Sequence, residues 1–204
     1  LLESVAYNRS RIRNLSEMEP ASCTGLPQGL SLFGLVEDGK GYFSNTLYLV
    51  SDVSGVEVES LKSDPNAQIF AYATALSTTL VGGWSELEIA ERLKHLSELP
   101  HESSAQQFAL DLQTYEVLSK LNDRKFMNSL GYPTLDIDLR AVFGDNLDLF
   151  SSKKILMDGE HIYNESGETY RVGGGIAPCF NYAADAYVQT PTCNYSSRSG
   201  TPIS

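Results

Sequence analysis

Apolar residues recur at spacings of three and four along "SSAQQFALDLQTYEVLSKLN". Ala105, Phe108, Ala109, Leu112, Tyr115, Leu118 and Leu121 fall on one stripe, which predicts a long amphipathic helix. Ser103 with Gln106 three residues on forms a capping box at its start. The helix frays near Asn122-Asp123 or runs on to Leu130, before Gly131. A shorter segment upstream repeats the pattern. Ser85 and Glu88 make a second capping box, Leu87, Ala90, Leu93 and Leu96 follow along one face, and Leu99-Pro100 interrupts. The most apolar stretch, "AQIFAYATALSTTLVGG", is alanine-rich and predicts a buried helix closed by Gly82-Gly83. At the front of the chain Leu2, Val5, Ile12 and Leu15 recur at roughly helical spacing, and Pro20 ends that helix.

Elsewhere the period shortens to two. "YFSNTLYLV" has the aromatic and β-branched density of a half-buried strand. A second strand is expected from Val53 to Leu61, where Val56 and Val58 alternate with Glu57 and Glu59. Asp64-Pro65-Asn66 reads as a turn. The passage "CTGLPQGLSLFGLVEDGKG" reads as loop or short strands around a turn at Glu37 to Gly41. "TLDIDLRAVFG" fits a strand, a short helix or both. In "KILMDGEHIY", Asp158-Gly159 sits between two apolar-rich runs and signals a hairpin. "NESGETYRV" adds a turn and a further strand, giving an antiparallel meander from Lys154 to Val172. The expected class is α+β, with central helices packed on an antiparallel sheet that includes this C-terminal meander. Residues 1–204 form one domain, with a mostly helical middle at 67–130.

A chain of 204 residues with 42% apolar composition buries a core without metals or staples. Fifteen basic against 26 acidic residues give a net charge of −11, so a nucleic-acid partner would be repelled. The basic groupings are short, among them Arg9, Arg11 and Arg13, and the pair Lys153-Lys154. No apolar run is long enough to span a membrane. The chain opens on Leu1, as a trimmed secretory product would.

The densest candidate chemistry lies in "YRVGGGIAPCFNYAADAYVQTPTCNYSS". Three glycines follow a strand there, but no lysine with Ser/Thr follows them, so a phosphate loop is not formed. Cys23, Cys179 and Cys193 include no Cys-x-x-Cys pair, which removes the common zinc and redox motifs. A Cys179–Cys193 disulfide would close a loop worth about 3 kcal/mol of unfolded-state entropy. The loop would display Tyr182 and Tyr187, with Tyr195 just beyond it, as a binding surface. Pairing of Cys23 with either partner, or no disulfide at all, is the alternative. An odd cysteine in an exported protein is unpaired, buried or bridged to another chain, and Cys23 is that candidate. Asn8, Asn14, Asn164 and Asn194 each head an N-glycosylation sequon. Together these point to an exported, extracellular glycoprotein.

Catalytic constellations are thinner. The three histidines are His95, His101 and His161, and no Gly-x-Ser-x-Gly elbow is present. Cys179 with His161 lacks any motif that ties the pair together. His95, Glu98 and His101 share zinc-ligand chemistry, but Pro100 breaks the helix that would align them, so no metal or cofactor is expected. Asp136 and Asp138, or the glutamates 86, 88 and 91 flanking Trp84, are the residue types a carbohydrate-cleaving cleft uses. The expectation is therefore an extracellular interaction module, adhesin-like, receptor-binding or a subunit of a secreted assembly. It would act in cell adhesion on a protein or carbohydrate partner, as an oligomer or with a disulfide-linked partner chain. The alternative is a secreted hydrolase or toxin-like enzyme acting on carbohydrate, with Trp84 as a sugar platform.

Overall fold

The computed structural model describes residues 1–17, 27–38, 41–80, 82–100, 103–158 and 161–172. Among them the chain is mixed α and β, and predominantly helical, with nine helices and two small antiparallel two-stranded sheets, one of them late in the chain. It divides into two compact units, Leu1–Pro100 with Glu116–Ile137, and His101–Tyr115 with Asp138–Ser204.

The first unit begins with α1 (Leu2–Ser10), shorter than its periodicity predicts. Arg11 and Ile12 both take left-handed backbone (φ 57° and 60°) and stop the helix well before Pro20. Leu15 instead pairs with Ser31 in an isolated bridge. The Gly-rich passage folds as a minimal hairpin of β1 (Gly29–Leu30) and β2 (Leu35–Val36). Both long strands expected next are helices. "YFSNTLYLV" leads into α2 (Thr46–Ser54), which buries Thr46, Leu47 and Val50 at helical spacing and ends on Gly55 in left-handed conformation. The Val56/Val58 alternation falls on the entry to α3 (Val58–Ser63), which buries Leu61. Burial on one side decides against the strand propensity of these residues.

Asp64-Pro65-Asn66 starts a helix instead of making a turn. The Asp64 carboxylate accepts from the Asn66 N–H at 2.9 Å, and Pro65 occupies the first helical position of α4 (Pro65–Thr78). This is the expected alanine-rich helix, with Ala71, Tyr72, Ala75 and Leu76 buried. It packs against α2, α3 and α5 (Glu86–His95). Phe33 stacks on Tyr72 with ring centroids 4.2 Å apart.

The long helix α6 (Ser104–Asn122) forms with its expected capping box. Gln106 Oε1 accepts from Ser103 N–H at 2.8 Å, and Ser103 Oγ accepts from Gln106 N–H at 3.2 Å. It stops at Asn122, where the Asp123 carboxylate caps a separate short helix, α7 (Arg124–Ser129). In the second unit Asp138 caps α8 (Leu139–Phe143), and α9 (Asn146–Phe150) follows. Phe150 lies 5.4 to 6.2 Å from the rings of Phe143, Tyr115, Phe108 and Tyr170, an aromatic core for this unit. The expected hairpin is present as β3 (Ile155–Asp158) and β4 (His161–Asn164), and a Tyr163–Thr169 bridge brings the following run against it.

Candidate functional site

A cavity of about 610 Å³ opens in the first unit. Six segments build it. The start of α1 contributes Leu1, Leu2, Glu3 and Ser4. Ala73, Leu76 and Ser77 of α4 face it at spacings of three and four, so one helical face forms a wall. Phe126, Met127 and Leu130 do the same from α7 and the residue that closes it. Leu121 comes from the end of α6, and Tyr132, Pro133 and Leu135 from the segment after α7. Trp84 and Ile89 complete the lining from α5 and its entry loop.

Leu76, Leu121 and Met127 are buried and form the floor, while Trp84, Tyr132 and Leu135 are about half exposed and stand at the rim. Polar groups are few. Ser4 Oγ donates to the Val117 carbonyl at 2.6 Å and is thereby committed to packing α1 on α6. At the rim the Tyr132 hydroxyl donates to Glu3 Oε1 at 3.2 Å. That hydrogen bond, with the negative charge behind it, raises the Tyr132 pKa.

Trp84 is held by two residues one turn apart on α5. Glu88 completes the capping box predicted from the sequence: Ser85 Oγ accepts from the Glu88 N–H, and the Glu88 carboxylate accepts from the Ser85 N–H at 2.9 Å. The same carboxylate also accepts from the Gly83 N–H at 2.7 Å, so it fixes both sides of Trp84. A Cβ at Gly82 would come within 2.7 Å of Glu88 Oε1, so only glycine leaves the carboxylate its place. Arg92 then lies over the Trp84 ring, its guanidinium carbon 4.7 Å from the ring centroid. Arg92 is 1% exposed and donates to the carbonyls of Leu76 and Ser77, whose side chains line the cavity.

The hydrogen bonds from the Ser85 hydroxyl, then from the Ser85 and Gly83 amides, lower the Glu88 pKa to about 2, with a smaller contribution from Arg92. A depressed folded-state value favours the fold above the ordinary carboxylate pKa near 4.5, and the advantage is lost as pH falls through about 2. Glu88→Gln keeps an acceptor but not the charge. The wild-type urea midpoint should therefore fall between pH 4.5 and pH 2 more steeply than that of Glu88→Gln. Parallel pH profiles for the two proteins would refute the assignment.

The interaction-module expectation is corrected at its support. No disulfide joins any of the described residues, and Cys23, Cys179 and Cys193 lie outside them, as do Tyr182, Tyr187, Tyr195 and Asn194. With no cysteine pairing among the described residues to carry them, the disulfide-closed tyrosine loop, the adhesin-like module and the disulfide-linked partner are withdrawn. The disulfide-bonded glycoprotein expectation is corrected with it. Asn164 is 3% exposed, and its Nδ2 donates to Ser152 Oγ and Glu168. Asn8 Nδ2 donates to the carbonyls of Ser4 and Glu116. A glycan replaces a proton of that same nitrogen. Asn14 is exposed, and its Oδ1 accepts from Gln68 at 2.9 Å.

The carbohydrate-enzyme alternative is corrected as well. Trp84 faces an apolar wall in place of the polar groups that sugar hydroxyls need, and Glu88 beside it is spent on capping. Asp138 caps α8. His95 closes α5, Glu98 pairs with Arg9, and His101 is outside the described residues. Among the described residues no group of three or more His, Cys, Asp and Glu side chains could hold a metal ion, and no helix is long and apolar enough to cross a membrane.

Of the candidate site residues named from the sequence that are among the described ones, Trp84 alone lies on the cavity. The one sequence signal for its setting is the i, i+4, i+8 spacing of Trp84, Glu88 and Arg92. Compared with protein-family models, curated proteins and solved structures, the chain matches none, and its function has to be read from the cavity's own geometry.

Proposed function

We propose that this protein binds a small, largely apolar molecule in the cavity of its first unit. The observation that carries the reading is a cavity of about 610 Å³ with aliphatic and aromatic walls and polar groups confined to a few positions. Ligand sites combine this size with an apolar lining and a few orienting polar groups. Binding is favoured over turnover by the state of those groups. Ser4 is committed to the Val117 carbonyl and Ser77 donates to the Thr74 carbonyl, so neither hydroxyl is hydrogen-bonded to a base that would activate it.

Trp84 is the single tryptophan of the chain and stands at the rim, so the protein carries its own reporter. Titration with a series of n-alkyl alcohols should change Trp84 emission saturably. Affinity should rise about fourfold for each added methylene while the chain still finds apolar wall, then level off. The plateau reports the depth of the cavity. A response that never saturates, or that grows without levelling, would refute a defined site.

A further inference from the structure

We infer that the cavity selects a cationic amphiphile, an alkyl chain ending in an amine, over one ending in a carboxylate, with Glu3 as the discriminating group. The inference rests on the binding reading above and adds the charge of the ligand's polar end.

Glu3 is the only Asp, Glu, Lys, Arg or His side chain among the described lining residues. It sits at the rim side of α1, 41% exposed, where a ligand lying with its tail on the Leu76–Leu121–Met127 floor would place its polar end. One carboxylate oxygen accepts from Tyr132 at 3.2 Å. The other lies 3.7 Å from the amino group of Leu1, beyond hydrogen-bond length. A carboxylate offers about four acceptor directions, so Glu3 retains capacity for an ammonium. A carboxylate ligand would meet the opposite situation, with like charge at the rim, no cationic side chain among the described lining residues, and the Leu1 amino group already beside Glu3. The net charge of −11 adds a background that also favours a cation.

The test compares dodecylamine, dodecanol and dodecanoate at neutral pH, below their micellar range, by Trp84 emission. The amine should bind about threefold tighter than the alcohol, and the alcohol about threefold tighter than the carboxylate, the scale of a partly exposed charge contact. Glu3→Gln should remove most of that spread, amine affinity falling and carboxylate affinity rising towards that of the alcohol, which separates Glu3 from the background field. Tyr132→Phe frees a Glu3 oxygen and should widen the spread, an independent check should Glu3→Gln fold poorly. Dodecanoate binding as tightly as dodecylamine, or a spread that survives Glu3→Gln, would overturn the charge selection and leave the cavity reading standing. Saturable binding by none of the three would overturn both.

Discussion

Arg92→Met should lower the unfolding free energy by about 3 kcal/mol, although it removes a buried cation and nearly conserves volume. Two effects oppose each other here. Arg92 is 1% exposed, its Nε has no hydrogen-bond partner, and the other guanidinium nitrogens donate to backbone carbonyls. Burying such a charge costs free energy, and Met would relieve that cost. The guanidinium, however, terminates α4. It donates at 2.9 and 3.0 Å to Leu76 and Ser77, two carbonyls of the last turn that lack intrahelical partners, where the helix dipole also favours a cation. It reaches Gly82 and Gly83 more weakly, at 3.4 and 3.3 Å.

Each charged hydrogen bond contributes about 1.5–3 kcal/mol, and each carbonyl left buried and unpaired costs about 1–3 kcal/mol. Two strong bonds therefore outweigh relief of the desolvation. The urea midpoint should drop with an unchanged m-value, and Trp84 emission should shift to the red as the ring loses the cation beneath it. Arg92→Lys keeps the charge but not the fork, and should lose about half as much. A Met variant as stable as wild type would mean that desolvation wins and that Arg92 does not hold α4 and the Trp84 loop together.

Local chemistry was the legible part of this fold. Ser85 with Glu88, and Ser103 with Gln106, make their capping boxes because these bonds close within four residues and need nothing from the rest of the chain. The hairpin at Asp158-Gly159 is equally local, and its strands pair in register from Ile155–Asn164 to Asp158–His161. Errors fall where a tertiary surface chooses between two local solutions. Thr46, Leu47 and Val50 are good strand residues, yet α2 turns them together onto α4. Asp64-Pro65 serves a turn and a helix start equally well, and only the apolar run beyond it decides. The cavity was not legible at all. Leu2, Leu76, Leu121, Phe126 and Leu135 each look like ordinary core residues in the sequence. What makes them a site is packing that leaves their faces apart, and no spacing within any one segment records that.

Ala73→Phe should weaken binding of an alkyl ligand by about a hundredfold while leaving the fold at least as stable. Ala73 lies on the cavity face of α4 and is half-buried, so a larger side chain there projects into open space and displaces no packed neighbour. The ring would occupy volume otherwise filled by three or four methylenes, each worth about 0.8 kcal/mol of transfer free energy, which sets the hundredfold scale. Stability should hold. Phe costs up to about 0.7 kcal/mol of helix propensity against Ala, and burying part of the ring in the cavity offsets that by about 1 kcal/mol or more. Thr74→Phe is the matched control, since Thr74 is one residue along the same helix and is not part of the lining. It should leave affinity unchanged. Loss of binding in Ala73→Phe with a raised or equal urea midpoint, beside full binding in Thr74→Phe, can arise only if the ligand occupies this cavity. Undiminished binding by a folded Ala73→Phe protein would place the ligand elsewhere and end the proposal.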